Sequence, residues 1–160
     1  MTKLCTFLWF DGQAEEAMTY YCQVLKGAKP GKVARYPEGT PGTPGSVMTA
    51  EWEAFGQSFV GLNGGPIFKF TEAVSFQILC EDQAEVDYYW DHLTDGGEES
   101  QCGWLKDRFG VSWQITPRRL MELTTSADRE TASRVMGAMM KQRKIIIAEL
   151  EAAAREPAQA

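Results

Sequence analysis

The sequence predicts an α+β fold built from two tandem βαβββ modules, followed by a long C-terminal helix. The stretch "FDGQAEEAMTYY" at residues 10–21 returns as "CEDQAEVDYYWD" at residues 80–91, an offset of 70 residues. The predicted elements also follow the same order in both halves, which favours a duplicated half-domain over a chance similarity. A solenoid is excluded because such stacks need about three repeats or more.

Length and composition indicate one globular domain. The chain has 160 residues, of which 44% are hydrophobic and 24% charged, the proportions of ordinary soluble proteins. We expect a single domain over residues 1–124, with module one at about 1–66 and module two at about 73–118. The predicted C-terminal helix covers 125–155, and residues 156–160 form a polar tail.

The charge and the hydropathy pattern exclude several partners. A net charge of −6 argues against nucleic acid or an anionic membrane as the main partner, because both favour basic surfaces. No apolar run approaches the roughly 20 residues that cross a bilayer, and the acidic turn near residue 11 comes too early for a signal peptide. We therefore expect a cytoplasmic protein with no membrane partner.

Module one begins with "LCTFLWF" at residues 4–10, which is rich in strand formers. From Gln13 the period changes to that of a helix, which Gly27 is suited to end. A short strand is predicted at 32–36, a mobile loop at 37–46, and an antiparallel pair at 47–55 and 57–63. The helical stripe consists of Ala14, Ala17, Met18, Tyr21, Val24 and Leu25.

Module two repeats this order. A strand at 73–80 leads to Asp82, which can cap the next helix, and "DGG" at 95–97 ends that helix. "ESQCGWLKDRFG" and "VSWQITP" complete the module, with a turn at 108–110 before the last strand. The helical stripe consists of Val86, Tyr89, Trp90 and Leu93.

A short helix is predicted after Pro117, and a long one begins near Asp128. The long helix has an apolar stripe that must be covered by its own sheet or by a second subunit, so we expect a homodimer. The stripe consists of Val135, Met136, Met139, Met140, Ile146, Ile147 and Leu150.

Three stretches resemble the PhnB-like branch of the vicinal oxygen chelate superfamily, which includes glyoxalases, bleomycin resistance proteins and extradiol dioxygenases. They are "FLWFDGQAEEAMTYY", "DQAEVDYYWDHLTDGGEESQCGWLKDRFGVSWQITPRRLMEL" and "RVMGAMMKQRKIIIAELEAA". The resemblance implies that the mixed sheets are cup-shaped and enclose a cavity. This branch often carries a 3-demethylubiquinone-9 3-methyltransferase label. We find no strand, Gly-rich turn and helix suited to a methyl donor, and treat the label as nominal.

Metal-binding members of the superfamily place ligands on the first and last strands of each module. The positions that match here are Cys5, Gly61, Ser75 and Gln114. These residues do not form a divalent metal site, which needs imidazole or carboxylate ligands, and the single histidine, His92, lies on the second helix. We therefore expect no metal and no other cofactor.

Strand alternation gives the remaining residues that face the cavity. The predicted ligand-binding residues are aromatic, hydroxyl, thiol and amide side chains: Cys5, Phe7, Trp9, Ser75, Gln77, Ser112 and Gln114. Such a set is typical of a pocket for a small aromatic or amphipathic molecule. The prediction is a metal-free binding protein with no assigned catalytic residue.

Two alternatives stay open. One is an enzyme of the superfamily, either with an atypical metal site or with Cys5 as nucleophile, although such a thiol usually needs a base or cation beside it. The other is a structural module that dimerises through the C-terminal helix.

Overall fold

Two mixed four-stranded sheets, each packed against one helix, form the centre of the fold. A computed structural model describes residues 2–156 of the chain. The chain divides into two compact units, Met1–Phe70 and Thr71–Ala160. Each unit contains a strand, a helix and three further strands, which confirms the two predicted βαβββ modules.

The first unit has the strand order β1-β4-β3-β2. β1 is parallel to β4, and the other neighbours are antiparallel. β2 begins three residues earlier than predicted and includes Pro30, which an edge strand tolerates because no partner needs its missing N–H. The elements are β1 (Cys5–Phe10), α1 (Ala14–Val24), β2 (Lys29–Arg35), β3 (Val47–Ala54) and β4 (Gln57–Asn63).

The core of the first unit lies between α1 and its sheet. The six predicted stripe residues of α1 and the following turn are all buried, which confirms the helical period. Tyr21 of α1 stacks on Trp52 at 5.3 Å, and Trp52 stacks on Phe59 at 5.5 Å. Aromatic pairs at such distances add about 0.5–1.5 kcal/mol each beyond the burial of their area.

The loop between β2 and β3 is irregular, as predicted, and is closed at its base. Tyr36 donates from its backbone N–H to the Ser46 carbonyl at 2.9 Å, and its own carbonyl accepts from Gly45 at 2.9 Å.

The second unit has the order β5-β8-β7-β6, with β5 parallel to β8. Asp82 caps α2, as predicted: its carboxylate accepts from the Glu85 N–H at 2.9 Å. The predicted stripe of α2 is fully or almost fully buried. The elements are β5 (Ser75–Cys80), α2 (Gln83–Thr94), β6 (Glu98–Glu99), β7 (Trp104–Lys106) and β8 (Ser112–Pro117), followed by α3 (Arg118–Thr124), α4 (Arg129–Met139) and α5 (Ile147–Arg155).

The predicted C-terminal helical segment is present, but a turn at 140–146 divides it into α4 and α5. The two helices and α3 enclose a small core of their own: Leu120, Leu123, Val135, Ile145 and Leu150. Met136 and Met140, predicted to be part of the apolar stripe, are exposed. Of the predicted tail at 156–160, residues 157–160 lie outside the described part of the chain.

Tertiary hydrogen bonds explain why the helix is divided. The carbonyls of Gln142 and Arg143 accept from the N–H groups of Cys102 and Gly103, each at 2.8 Å. The side-chain amide of Gln83 donates to the Ile145 carbonyl at 2.9 Å and accepts from the Ile147 N–H at 2.8 Å. These partners take up backbone groups that a continuous helix would use internally. Within residues 2–156, no helix is long and apolar enough to cross a membrane.

Candidate functional site

Each sheet has one face covered by its own helix and a second face that this helix leaves free, here called the helix-free face. Residues directly opposite each other on paired strands lie on the same face of a sheet. The register of the strands therefore assigns every predicted site residue to a face.

On the second sheet, the four predicted residues Ser75, Gln77, Ser112 and Gln114 all lie on the helix-free face. Ser75 is opposite Ser112, and Gln77 is opposite Gln114. The intervening residues Trp113 and Ile115 are buried on the side of α2, which is the alternation expected from the sequence. Whether these residues bind a ligand stays a prediction.

The polar groups on this face are joined by neutral hydrogen bonds. Gln114 Nε2 donates to Ser75 Oγ at 2.9 Å, and Gln77 Nε2 donates to Thr116 Oγ1 at 3.1 Å. Both amides still have an acceptor oxygen, and each hydroxyl has further bonding capacity. The face can therefore offer donors and acceptors to a polar molecule without a charge of its own at these positions.

Two further residues on the same face, Trp104 and Lys106, were not predicted from the sequence. Trp104 pairs with Gln114, and Lys106 pairs with Ser112, across β7 and β8. Lys106 Nζ forms an ion pair with Glu72 Oε1 at 2.5 Å. Because Lys106 donates to it, the pKa of the Glu72 carboxyl lies below its usual value. The alternation of "WLK" is the signal that could have indicated both residues. Using it requires the bounds of the short strand β7, which were not predicted within residues 99–110.

On the first sheet, Cys5, Phe7 and Trp9 lie on the helix-free face, opposite Ser58, Val60 and Leu62 of β4. The neighbouring residues Leu8 and Phe10 are buried, again as the alternation predicted.

The three side chains of β1 differ in exposure. Phe7 is 61% exposed, whereas Trp9 is partly covered by the segment that follows β4. Trp9 Nε1 donates to the Gly65 carbonyl at 2.9 Å, and its ring meets that of Phe68 edge-on at 4.8 Å. Of these aromatic groups, Phe7 therefore offers the larger free surface, and Trp9 is held in one orientation.

The structure corrects the position assigned to Gly61. Gly61 pairs with Leu8, and a Cβ there would lie 3.0 Å from Ala14 Cβ of α1. It therefore faces the helix, where its lack of a side chain lets α1 approach the sheet. By its register, Val60 is the counterpart of Gln114 in the first module, and its aliphatic side chain has no atom that could bind a metal.

The described residues contain no group of three His, Cys, Asp or Glu side chains arranged to hold a metal ion. His92 lies exposed on α2, with Nδ1 2.7 Å from the Tyr88 carbonyl oxygen. Cys5 Sγ contacts the Thr6 carbonyl at 3.9 Å. Within residues 2–156, no histidine or lysine side chain forms a hydrogen bond or ion pair with this thiol.

The two βαβββ modules, each with a parallel pair formed by its first and last strands, place the protein in the glyoxalase/bleomycin resistance fold class. The family model of 3-demethylubiquinone-9 3-methyltransferase matches residues 2–116. A solved PhnB structure from Bacillus cereus, whose name carries the same methyltransferase description, is 34% identical. The match covers 72% of this chain and 99% of that one, with a TM-score of 0.65. The chain therefore belongs to the 3-demethylubiquinone-9 3-methyltransferase (PhnB) family.

Other solved structures are similar at lower identity. Protein PA1353 from Pseudomonas aeruginosa is 20% identical with a TM-score of 0.60, over 73% of this chain and 98% of that one. A glyoxalase/bleomycin resistance protein from Albidiferax ferrireducens T118 is 10% identical with a TM-score of 0.46, over 68% and 92% of the two chains. No curated protein sequence matches significantly.

The methyltransferase description remains nominal for this chain. Both strand-to-helix turns, at 11–13 and 81–82, are short, and together they contain one glycine, Gly12. A Gly-rich turn that brings backbone N–H groups close to a nucleotide-like cofactor is the usual feature of such sites.

Proposed function

We propose that this protein binds a small, aromatic or amphipathic organic molecule through the helix-free faces of its sheets, without a metal ion. The observation that carries the proposal is the chemistry of the second sheet's helix-free face. Ser75, Gln77, Gln114 and Thr116 form a set of neutral, mutually bonded amide and hydroxyl groups. Small-molecule sites commonly combine a few such polar groups with apolar and aromatic surface.

The helix-free face of the first sheet carries exposed aromatic surface of its own. Phe7 is largely exposed, and Trp9 is fixed by its hydrogen bond and by Phe68. A flat apolar group that covers an exposed aromatic ring gains favourable binding free energy, because apolar surface is removed from water. This gain is available to a ligand that carries an aromatic ring.

A thermal-shift screen against small aromatic and amphipathic metabolites and antibiotics tests the proposal. A ligand at about 100 times its Kd adds about 2.7 kcal/mol to the free energy of unfolding. For a chain of this size this corresponds to a rise in Tm of about 5–10 °C.

Matched variants test whether a hit uses the proposed faces. Gln77→Ala should reduce the shift caused by a ligand of the second sheet's face, and Phe7→Ala should reduce the shift caused by a ligand of the first sheet's face. Gln101→Ala in the loop before β7 and Leu4→Ala before β1 remove other exposed side chains and should preserve the shift. A library that contains no stabilising compound, or hits that ignore both Gln77 and Phe7, would contradict the proposal.

Homodimerisation is a second part of this proposal. Met136 and Met140 expose 46% and 66% of their surface on neighbouring turns at the end of α4, and this apolar surface would be covered in a dimer. Sedimentation equilibrium should give twice the chain mass for the wild type and less for Met136→Gln/Met140→Gln. A monomeric wild type would contradict this part alone.

A further inference from the structure

Three residues form a row across the second sheet's helix-free face, here called the hydroxyl–lysine row: Ser75, Ser112 and Lys106. Ser112 on the central strand β8 lies opposite Ser75 of β5 on one side and opposite Lys106 of β7 on the other. The row therefore places two serines and one lysine at adjacent positions on the same face, all within the second unit.

The central hydroxyl of this row is buried and unused. Ser112 is 1% exposed, and among residues 2–156 its Oγ has no hydrogen-bond partner. Buried polar side chains almost always have a partner, because a hydroxyl removed from water otherwise loses its hydrogen bonds without replacement. An unpaired hydroxyl on this face therefore points to a donor kept for a bound acceptor.

The lysine of the row already holds a carboxylate. Glu72, just before β5, places Oε1 2.5 Å from Lys106 Nζ, and its side chain is 61% exposed. Glu98 of the edge strand β6 lies opposite Lys106 on the other side and adds a second negative field. The ion pair with Glu72 indicates the chemical group that the row accepts, and the exposure of Glu72 allows another carboxylate to replace it.

We propose that the hydroxyl–lysine row is the subsite for the carboxylate of the ligand, and that Glu72 occupies it when no ligand is bound. The inference rests on the proposed function and narrows it to small aromatic carboxylates. Lys106 supplies the counter-charge, and Ser112 Oγ donates to the second carboxylate oxygen. Trp104, half-buried on the same face opposite Gln114, offers its ring to the aromatic part of the ligand.

Benzoate and the neutral benzyl alcohol are suitable probes because they differ mainly in charge. Binding is followed by ¹H–¹⁵N shifts of the β5 and β8 amides and of the Gln114 side-chain amide. We expect benzoate to bind more tightly than benzyl alcohol. Lys106→Met should weaken benzoate binding about fivefold, which is the range of one solvent-accessible ion pair. Glu72→Gln should strengthen it, since the internal competitor is gone, and Ser112→Ala should weaken it.

Lys144 and Asp87 provide a matched control pair. Lys144 forms a comparably exposed ion pair with Asp87 at 3.0 Å, with Asp87 on α2 and Lys144 in the turn before α5. Lys144→Met and Asp87→Asn should leave benzoate binding unchanged, which separates a local effect from a change in net charge.

Three outcomes would overturn the inference: benzoate binding that Lys106→Met does not weaken, binding that Glu72→Gln does not strengthen, or no preference for benzoate over benzyl alcohol. In each case, shifts at β5 and β8 caused by benzyl alcohol, or by a neutral compound from the screen, would leave the proposed function standing. Absence of any ligand at these strands would overturn both.

Discussion

The glutamine of the repeated sequence should be structurally important in one copy and dispensable in the other. Gln83 begins α2 and bonds through both ends of its amide to the backbone of Ile145 and Ile147. Its counterpart Gln13, just before α1, is exposed and makes no side-chain cap hydrogen bond. Gln83→Ala therefore removes one of the contacts that hold the turn between α4 and α5, and Gln13→Ala is its matched control.

The expected magnitude follows from the two hydrogen bonds to the turn, because the third bond of the Gln83 side chain, to Asp87 at 3.0 Å, is local to α2 and water can replace it. Each intramolecular hydrogen bond contributes about 1 kcal/mol net, so Gln83→Ala should lower the free energy of unfolding by about 2 kcal/mol. At about 2–4 °C per kcal/mol, Tm should fall by about 4–8 °C. Alanine itself favours the helix, so no propensity cost adds to this value. Gln13→Ala should stay within about 0.5 kcal/mol of the wild type.

Denaturant unfolding of the three proteins measures the difference, and hydrogen exchange locates it. In Gln83→Ala the amides of Cys102 and Gly103 should exchange faster, because they donate to the same turn. The pKa of Asp87, which Gln83 and then Lys144 hold below its usual value, should rise. Equal stability of Gln83→Ala and Gln13→Ala, with unchanged exchange at Cys102 and Gly103, would refute the reasoning.

Three further predictions concern single side chains. Gly61→Ala should lower the free energy of unfolding by about 1–3 kcal/mol, because its Cβ would press against Ala14 of α1. Gly137→Ala, with open space around it on α4, should instead raise the free energy of unfolding by about 1 kcal/mol. Denaturant unfolding that gives both changes the same sign would contradict this. Ser112→Ala should raise the free energy of unfolding by up to about 1 kcal/mol, since it removes a buried hydroxyl that has no partner; a loss of stability would mean that the hydroxyl is bonded in solution. The ion pair with Lys106 holds the pKa of Glu72 in the folded protein below its value in the unfolded chain. The contribution of ionised Glu72 to the free energy of unfolding is therefore complete above the unfolded pKa, and it is lost as the pH falls through the folded pKa. In an NMR titration Lys106→Met should move this pKa back up and Lys144→Met should not, and a midpoint indifferent to Lys106→Met would refute the pairing.

The local elements could be predicted because they depend on neighbouring residues. The helical stripe of α1, the cap at Asp82 and the alternation along β5 and β8 each follow from a period or a spacing, and the structure confirms them. The position of Gly61 was wrong because β4 is apolar on both faces. Its alternation could not be fixed without the register to β1.

The remaining features depend on contacts distant in sequence. The division of the C-terminal segment follows from bonds to Gln83, Cys102 and Gly103, and no pattern within residues 125–155 indicates them. Lys106 was missed because the bounds of the short strand β7 could not be delimited within residues 99–110. Its place in the site appears only once Ser112 is found opposite it.

The attachment of the turn at 140–146 to Cys102 and Gly103 depends on main-chain atoms. Gly103, at φ +84°, donates to Arg143, accepts from Ile115 at 2.7 Å, and has no space for a methyl group, which would lie 2.8 Å from the Ile115 oxygen. The exposed side chains of Lys141 and Arg143 take no part in these main-chain bonds. The exposed positions 141 and 143 can therefore vary among related sequences, whereas the length of the connection cannot, because one inserted residue would present the wrong carbonyls to Cys102 and Gly103.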